Sequence, residues 1–176
     1  SNRSEAALGY ATMDGDTSGG LAPIAGIDKA YLRRWLSHVE RNGVAGAAPM
    51  PALAPVNAMP STPELRPRDA KQTSEADLMP FAVLDRIERA IVRDRRSPAD
   101  AVDVLLDADP ALDRATARTH VRRFCRLFAQ NQWKRERYAP SFHLDDENLD
   151  PKTWCRFPIL SGGYDLELRE LLSRTL

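Results

Sequence analysis

Residues 1–29 read SNRSEAALGYATMDGDTSGGLAPIAGIDK and combine a carboxylate, Glu5, with a Gly-rich polar turn and a lysine, Lys29, where a helix is predicted to begin. Carboxylate oxygens, the backbone N–H groups of a turn and a cation are the groups with which proteins hold phosphates and divalent cations. The segment starts at Ser1 without an element before it, so we expect the chain to be a piece of a larger protein.

The composition limits the classes of protein to which the chain can belong. Its 176 residues suffice for one domain or part of one, and 25 basic residues balance 25 acidic ones, so no overall field favours nucleic acid or an anionic membrane. The two cysteines are too few for a disulfide framework, and no apolar run reaches the roughly 18 residues of a membrane span. We expect a soluble, cytoplasmic protein with no membrane partner.

Hydrophobic periodicity and capping residues predict a mainly helical chain. Asn2 and Glu5 form a capping pair for a short helix that Gly9 ends. Asp28 is predicted to cap a helix that runs to about Asn42 and carries apolar residues at helical spacing. Further helices are predicted around 84–92, after Ser97, over about 113–138 and over 166–172. Strand signals are nearly absent, so we expect any sheet of this protein to lie in sequence outside the chain.

Residues 43–60 differ from their surroundings because they are rich in glycine, alanine and proline. Prolines are predicted to bar regular structure here, at Pro49, Pro51, Pro55 and Pro60. We therefore interpret this segment as a flexible or insertion-like loop.

The residue pattern alone leaves two interpretations each for Glu5 and Lys29. A carboxylate beside a Gly-rich turn can hold magnesium, but Glu5 can equally serve only to complete the capping box with Asn2. Lys29 lies in the first helical turn, where the macrodipole disfavours a cation unless a phosphate shares the site. The alternative for Lys29 is a solvated side chain.

The loop 14–19, DGDTSG, matches the first half of a calcium-binding loop. The twelfth position of such a loop needs a bidentate Glu and here falls on Ala25, so no calcium site is predicted. Two interpretations remain: a turn held by side-chain-to-backbone hydrogen bonds, or a loop whose Thr and Asp side chains grip a nucleotide.

Residues 114–137 contain eight Lys or Arg residues against the single acid Glu136. Such a helix could track a phosphate backbone, or it could be a solvated face that the acidic residues at 145–150 neutralise. Within it, Trp133, Lys134 and Arg135 could serve the base and phosphate of one nucleotide.

Other motifs receive no functional assignment. Residues 161–165, SGGYD, look like the start of an SGGxDS pyrophosphate-binding loop, but we interpret them as a turn before the last helix. The histidines and cysteines lack the spacing of a zinc site, and no catalytic dyad pattern is visible.

Four blocks of sequence, in the same order, resemble the C-terminal part of the synthetase domain of the bacterial-type glutamine-dependent NAD+ synthetases. They are SNRSEAALGYATMDGDTSGGLAPIAGIDKAYLRRWL, STPELRP, QTSEADLMPFAVLDRIE and NQWKRERYAPSFHLDDENLDPKTWCRFPILSGG. The resemblance covers essentially all of residues 1–176 and implies an α/β, Rossmann-like ATP-pyrophosphatase domain of the adenine nucleotide alpha hydrolase type. This chain would be its mainly α-helical C-terminal part, and the family's glutaminase domain and SGGxDS loop would precede Ser1.

The resemblance implies the amidation of deamido-NAD+ to NAD+, the last step of NAD+ biosynthesis. ATP would adenylate the nicotinate carboxylate, pyrophosphate would leave, and ammonia from glutamine would displace AMP. The implied ligands are ATP, Mg²⁺, deamido-NAD+ and ammonia or glutamine. The implied protein partners are the upstream half of the same chain and further copies in a homo-oligomer, and no nucleic acid is implied.

The family's motifs assign site residues by their positions in this chain. The resemblance places deamido-NAD+ beside Glu5, Tyr10, Ala11, Thr12, Met13, Asp16 and Lys134, and ATP beside Lys29 and Thr62. Glu5 is also the implied magnesium ligand, and no residue is expected to act as an acid or a base. The chain departs from single-domain relatives at Met13, where they have Lys, and at Trp133, where they have His.

Three hypotheses of function therefore follow from the sequence. The first is an ATP-dependent amide-forming ligase, of which this piece alone would be inactive and would not fold by itself. The second is a helical nucleic-acid-binding module that uses residues 114–137. The third is a non-catalytic interaction domain whose glycine-rich loop is only structural.

Overall fold

The computed structural model describes residues 1–62, 73–160 and 162–173, which form a mainly helical structure. The α-helices, in chain order, are α1 (Arg3–Leu8), α2 (Lys29–Asn42), α3 (Ala54–Ala58), α4 (Ser74–Asp77), α5 (Phe81–Glu88), α6 (Pro98–Ala108), α7 (Arg114–Gln130), α8 (Gln132–Arg135) and α9 (Asp165–Ser173). A 3-10 turn spans Pro51–Leu53, and a π-helical turn, Arg89–Arg93, continues α5. Within the described ranges, the only strand-like pairing is an isolated antiparallel bridge between Val44 and Ala47, so the prediction of a mainly helical chain is confirmed.

The hydrophobic core lies between α5, α6 and α7. Leu84 and Ile87 of α5, Leu105 of α6, and Phe124 and Phe128 of α7 are at most 2% exposed. The rings of Phe124 and Phe128 stack with centroids 5.6 Å apart. Burying such side chains contributes about 1.5–3 kcal/mol each, and α1 packs against both α5 and α7. The core therefore fixes the position of the N-terminal segment.

Two helices begin with capping boxes: the box of α1 is the one that the sequence predicts, and α6 begins after Ser97 as predicted, with a box that the prediction did not include. Asn2 accepts the Glu5 N–H at 3.1 Å while the Glu5 carboxylate accepts the Asn2 N–H at 3.2 Å. Ser97 and Asp100 make the same reciprocal pair at the start of α6. Each such cap stabilises its helix by about 1 kcal/mol. Gly9 ends α1 in the left-handed conformation, with φ 64, as predicted.

The long helix predicted over about 113–138 is interrupted at Asn131, so this prediction is wrong in its last part. The Asn131 side-chain amide donates to the Leu8 carbonyl at 2.8 Å, one of the carbonyls that the end of α1 leaves without a helical partner. The interruption thus links the end of α7 to the end of α1 and begins α8.

The prediction that prolines bar regular structure from 43–60 is wrong for residues 51–58. Pro51 begins the 3-10 turn and Pro55 lies in the first turn of α3. Proline is tolerated at such positions because the N–H group that it lacks would have no helical partner there. Both elements pack against α2, where the Asn57 amide donates to the Glu40 carboxylate at 2.6 Å.

The apolar stripe of α2 is only partly covered by the described residues. Val39 is 4% exposed, whereas Tyr31 is 51% and Trp35 is 44% exposed. The prediction of the helix itself is confirmed. Among the helices that the structure describes, none is long and apolar enough to cross a lipid bilayer.

Candidate functional site

An open cleft of about 710 Å³ is lined by residues of α1, the loop that follows it, the start of α2, and α8. The lining residues are Glu5, Gly9, Tyr10, Ala11, Thr12, Met13, Asp16, Lys29, Ser61, Thr62, Ser74, Trp133 and Lys134. All seven residues implied for deamido-NAD+ and both implied for ATP are among them. The structure brings the predicted residues together, while their roles in binding remain predictions.

Glu5 serves both the helix and the cleft. Its Oε2 atom accepts the Asn2 backbone N–H, and its Oε1 atom accepts from Lys29 Nζ at 3.3 Å. The side chains of Glu5 and Lys29 are each 25% exposed. A capping role and a role in the cleft are therefore compatible in the same carboxylate.

The start of α2, which carries Lys29, is held by residues of α1 and α5. Asp28 occupies the N-cap position but makes no side-chain cap hydrogen bond, so its predicted capping role is wrong. Instead, the Lys29 N–H donates to Ser4 Oγ at 2.9 Å, and the Ser4 hydroxyl donates to Asp85 Oδ1 at 2.9 Å. Asp85 also accepts a hydrogen bond from the Ala30 N–H. Tertiary contacts thus satisfy N–H groups that the first helical turn leaves unpaired.

Asp85 changes its charge near neutral pH. Burial is the main reason that its pKa rises from 3.8 to about 7, and the nearby Asp28 carboxylate acts in the same direction. The hydrogen bonds from Ser4 and Ala30 oppose this rise because they favour the ionised form. The group that supports the start of α2 is therefore titratable.

The loop after α1 is a turn held by its own side chains. Asp16 Oδ2 accepts the Thr12 N–H at 2.8 Å, and Thr17 Oγ1 accepts the Asp14 N–H at 2.9 Å. The Asp14 carboxylate accepts from Arg137 Nη2 at 3.2 Å. The interpretation as a turn with side-chain-to-backbone hydrogen bonds is confirmed, and it leaves Thr12 exposed at the cleft.

Contacts with the segment around α4 complete the opposite side of the cleft. The Tyr10 hydroxyl donates to Asp77 Oδ2 at 2.8 Å. The Ser74 N–H donates to the Ser61 carbonyl at 2.9 Å, which places Thr62 beside the start of α4. Residues 63–72, which include most of the STPELRP block, lie outside the described residues.

Lys134 binds the loop after α1 directly. Its ammonium donates to the carbonyls of Gly9 at 2.7 Å and Ala11 at 2.9 Å. An ammonium has three N–H donors, so these two bonds leave one for a ligand. Lys134 therefore holds the loop in place as well as lining the cleft.

Arg135 points away from the cleft into the protein. It is 2% exposed, donates to the Ala7 carbonyl at 2.7 Å, and its guanidinium carbon lies 4.0 Å from the centroid of the Phe128 ring. Burial lowers its pKa to about 10. The hypothesis that Trp133, Lys134 and Arg135 serve one nucleotide together is therefore wrong for Arg135.

Sequence reasoning missed a buried ion cluster around Arg3. Arg3 Nε lies 2.7 Å from Asp28 Oδ1 and 3.3 Å from Glu88 Oε1. Its Nη1 atom lies 2.5 Å from Asp145 Oδ1, and its Nη2 atom lies 3.1 Å from Glu147 Oε2. The hydrogen-bonded partners follow Arg3 by 25 to 144 residues, so no local pattern signals the cluster.

Three carboxylates of this Arg3 cluster are close enough together to hold a metal ion. Oxygen atoms of Asp28, Glu88 and Glu147 lie within 4.8 Å of one another. The Arg3 guanidinium contacts each of these carboxylates and supplies the cation. Burial and the Asp28 carboxylate raise the pKa of Glu88 well above its usual value. We assign the cluster a structural role.

Two acidic residues of the 145–150 stretch, Asp145 and Glu147, do not pair with the basic 114–137 segment, so that part of the alternative is wrong. Glu147 Oε1 instead accepts from Arg89 Nε at 2.7 Å and contacts Arg93 Nη1 at 3.4 Å. Arg114 of the basic segment pairs with Asp103 of α6 at 2.9 Å. Arg114, Arg122, Arg123 and Arg126 are exposed on α7, so the interpretation as a solvated face is confirmed for this helix, whereas Arg135 is buried.

A model of the NAD synthase family matches residues 1–138, which include every residue that lines the cleft. This chain belongs to the NAD synthase family. In this NAD synthase family member, the family model does not extend past residue 138. Asp145 and Glu147 of the Arg3 cluster, and helix α9, therefore lie outside the matched region.

Individual relatives agree with the family match. Glutamine-dependent NAD(+) synthetases of Xanthomonas campestris pv. campestris (strain 8004) and Rhodobacter capsulatus are 35% and 33% identical to this chain, covering 92% and 93% of it but 26% and 28% of the relatives. The crystal structure of a glutamine-dependent NAD(+) synthetase from Cytophaga hutchinsonii matches with a TM-score of 0.79 and 46% identity, over 97% of this chain and 25% of that chain. The chain thus spans about a quarter of these relatives. Their names give no support to the nucleic-acid-binding hypothesis.

Proposed function

We propose that this chain is the C-terminal part of the synthetase domain of a cytoplasmic glutamine-dependent NAD+ synthetase. Its function would be the ATP-dependent amidation of deamido-NAD+ to NAD+. The observation that carries this proposal is the convergence of all nine implied site residues on one cleft. Membership of the NAD synthase family and relatives that are named for this activity support it.

The proposed reaction consists of two substitutions. A carboxylate oxygen of deamido-NAD+ attacks the α-phosphorus of ATP, and pyrophosphate leaves with the electron pair of the broken P–O bond. The nitrogen of ammonia then attacks the acyl carbon of the adenylate, and AMP leaves as the C–O bond breaks. The ammonia nitrogen loses its surplus proton to give the amide. Negative charge therefore builds on phosphate oxygens in both steps, and cations can stabilise it.

The two lysines of the cleft supply those cations. Lys29 is held between its Glu5 partner and the open cleft, where its other ammonium hydrogens can reach a phosphate of ATP. Lys134 is oriented by the carbonyls of Gly9 and Ala11 and directs its remaining donor at the dinucleotide. Because the Gly9 and Ala11 carbonyls hold Lys134 before the substrates bind, little reorganisation of this cation opposes the reaction.

The carboxylates of the cleft suit a magnesium ion. Magnesium in nucleotide sites takes one or two protein carboxylates together with phosphate oxygens and water, and Glu5 and Asp16 both line the cleft. Glu5 would hold the ion, which would neutralise the charge of the leaving pyrophosphate. The Lys29 ammonium beside Glu5 would contact the same phosphate chain.

The remaining parts of the proposal concern protein outside this chain. We propose that the complete protein adds a Rossmann-like parallel sheet with an SGGxDS loop and a glutaminase domain that supplies ammonia. We also propose that it forms a homo-oligomer. The exposed apolar residues of α2, Tyr31 at 51% and Trp35 at 44%, support a further layer of structure, because an amphipathic helix needs a partner on its apolar side.

Replacing Lys29 or Glu5 by alanine in the complete protein tests the proposal. We expect Lys29→Ala and Glu5→Ala each to slow NAD+ formation from deamido-NAD+, ATP and ammonia by at least about tenfold, which corresponds to about 1.4 kcal/mol of transition-state stabilisation. Supplying ammonia directly keeps the glutaminase step out of the measurement.

Arg114→Ala is the matched control, since it removes an exposed cation that pairs with Asp103 outside the cleft. Its rate should stay close to that of the wild type. The unfolding midpoints of Lys29→Ala and Arg114→Ala should change little, and that of Glu5→Ala should fall slightly because the Asn2 N–H loses its acceptor. Wild-type rates in both cleft variants would contradict the assignment of the site.

A further inference from the structure

Trp133 occupies a position in the cleft that the proposed roles leave without a function. It lies in α8, it lines the cleft beside Lys134, and 41% of its surface is exposed. Gln132 and Arg135 of α8 do not face the cleft, because they are buried and hydrogen-bond to each other. Trp133 is thus the residue of α8 that presents a large aromatic surface to the cleft.

The surroundings of Trp133 suit a flat ring that is attached to a phosphate. The Lys134 ammonium lies 5.8 Å from the centroid of the Trp133 ring, so a cation stands beside the indole. Bases stack on such aromatic side chains, and a neighbouring cation can contact the phosphate that follows the base. A half-exposed indole without a ligand leaves apolar surface in water, which stacking would remove.

The dinucleotide is the substrate that fits this position best. Lys134 is bonded to the carbonyls of Gly9 and Ala11, so Trp133 belongs to the same side of the cleft as the loop implied for deamido-NAD+. The residues implied for ATP, Lys29 and Thr62, come from α2 and the segment before α4.

We propose that Trp133 is a stacking platform for a heteroaromatic ring of the dinucleotide substrate, with Lys134 beside it at the adjoining phosphate. This inference rests on the proposed function and specifies which residue recognises the ring. Both the pyridine ring and the adenine ring of the dinucleotide have the required chemistry, and the experiment distinguishes them.

Kinetics of the complete protein provide the first test. Trp133→Ala should raise the KM for deamido-NAD+ by about tenfold or more and leave the KM for ATP within about twofold, because one stacking contact is lost. Trp133→Phe, which keeps a smaller aromatic face, should restore most of the affinity. The matched control is Trp154→Ala, because Trp154 is similarly exposed, at 43%, and does not line the cleft.

Intrinsic fluorescence provides the second test. Deamido-NAD+ should quench the tryptophan fluorescence of the complete protein more strongly than that of the Trp133→Phe variant. The difference between the two proteins reports on Trp133 itself. The same difference with nicotinate mononucleotide would place the pyridine ring on Trp133. A quenching difference that is seen with deamido-NAD+ but not with nicotinate mononucleotide would place the adenine ring on Trp133.

The results that overturn the inference differ from those that overturn the proposed function. An unchanged KM for deamido-NAD+ in Trp133→Ala, or equal quenching by ATP alone, would refute the stacking role while NAD+ formation continues. A complete wild-type protein that makes no NAD+ from deamido-NAD+, ATP and ammonia would refute the proposed function.

Discussion

Two ion pairs join α1 to the start of α2, and they differ in their access to solvent. Arg3 and Asp28 are 2.7 Å apart, with side chains that are 4% and 10% exposed. Glu5 and Lys29 are 3.3 Å apart, and each side chain is 25% exposed. The buried pair belongs to a cluster with further carboxylates, whereas the exposed pair faces the cleft.

The difference fits a structural role for the Arg3–Asp28 pair and the proposed binding role of the Glu5–Lys29 pair. A buried ion pair is costly to break, because the partner that remains keeps a charge that water cannot reach. An exposed pair contributes little to stability, so its groups can change partners when a ligand arrives. The Arg3 cluster therefore fixes the geometry at which Glu5 and Lys29 meet.

Removal of Arg3 should produce the largest effect. Arg3→Met leaves Asp28, Glu88 and Glu147 buried without their shared cation, so we expect the free energy of unfolding to fall by about 3–5 kcal/mol. Urea unfolding of the complete protein, followed by intrinsic fluorescence, measures the change. The control is Arg114→Met, which breaks an exposed pair and should cost less than about 1 kcal/mol. Equal losses in the two variants would remove the distinction between the pairs.

The stability of the fold should also depend on pH, through the buried carboxyl group of Asp85. Asp85 has a pKa of about 7 in the folded protein against 3.8 for the free group, so the folded state holds this proton more tightly. Its contribution to stability is complete below pH of about 4 and is lost as the pH rises through about 7. We expect the unfolding temperature to fall less over this interval in Asp85→Asn than in the wild type.

Glu88 is present in both proteins, but the Asp85 carboxylate contributes to its raised pKa, so the comparison reports the titration of Asp85 together with its effect on Glu88. Thermal unfolding at a series of pH values provides the measurement. Parallel curves for wild type and variant would show that Asp85 does not titrate in this interval.

The exposed pair should show the smallest effect on stability. A double-mutant cycle with Glu5→Gln and Lys29→Met should give a coupling energy of about 0.2–1 kcal/mol in urea unfolding. Glu5→Gln and Lys29→Met should nevertheless each slow NAD+ formation, as we expect for the alanine variants of the same residues. A coupling energy above about 2 kcal/mol would mean that Glu5 and Lys29 stabilise the fold in the way that Arg3 does.

Features that depend on nearby residues could be predicted from the sequence. The capping box of Asn2 and Glu5 and the helix end at Gly9 involve residues three or four positions apart, so the pattern contains the interaction. The Arg3 cluster could not be predicted in this way, because its members meet only after the chain folds. The same holds for Asp28, whose carboxylate contacts Arg3 and not its own helix.

The candidate site could be predicted only from the resemblance. Taken singly, Glu5, Lys29 and Lys134 each had an ordinary structural interpretation, and four ordered blocks were needed to place them together. Charge pattern also misassigned Arg135, because a pattern of basic residues does not show which guanidinium is buried. Burial depends on packing against α1 and Phe128, which the sequence does not display.

The close contact between Gly9 and Asn131 restricts the substitutions that these two positions tolerate. A Cβ atom at Gly9 would lie 2.3 Å from Asn131 Cβ, and the φ of 64 strains any side chain there. Alanine at position 131 would keep that Cβ atom and would also release the Leu8 carbonyl. Gly9 is therefore required both by its backbone conformation and by the close approach of Asn131, and through this contact the end of α1 is held against the start of α8, which lines the cleft.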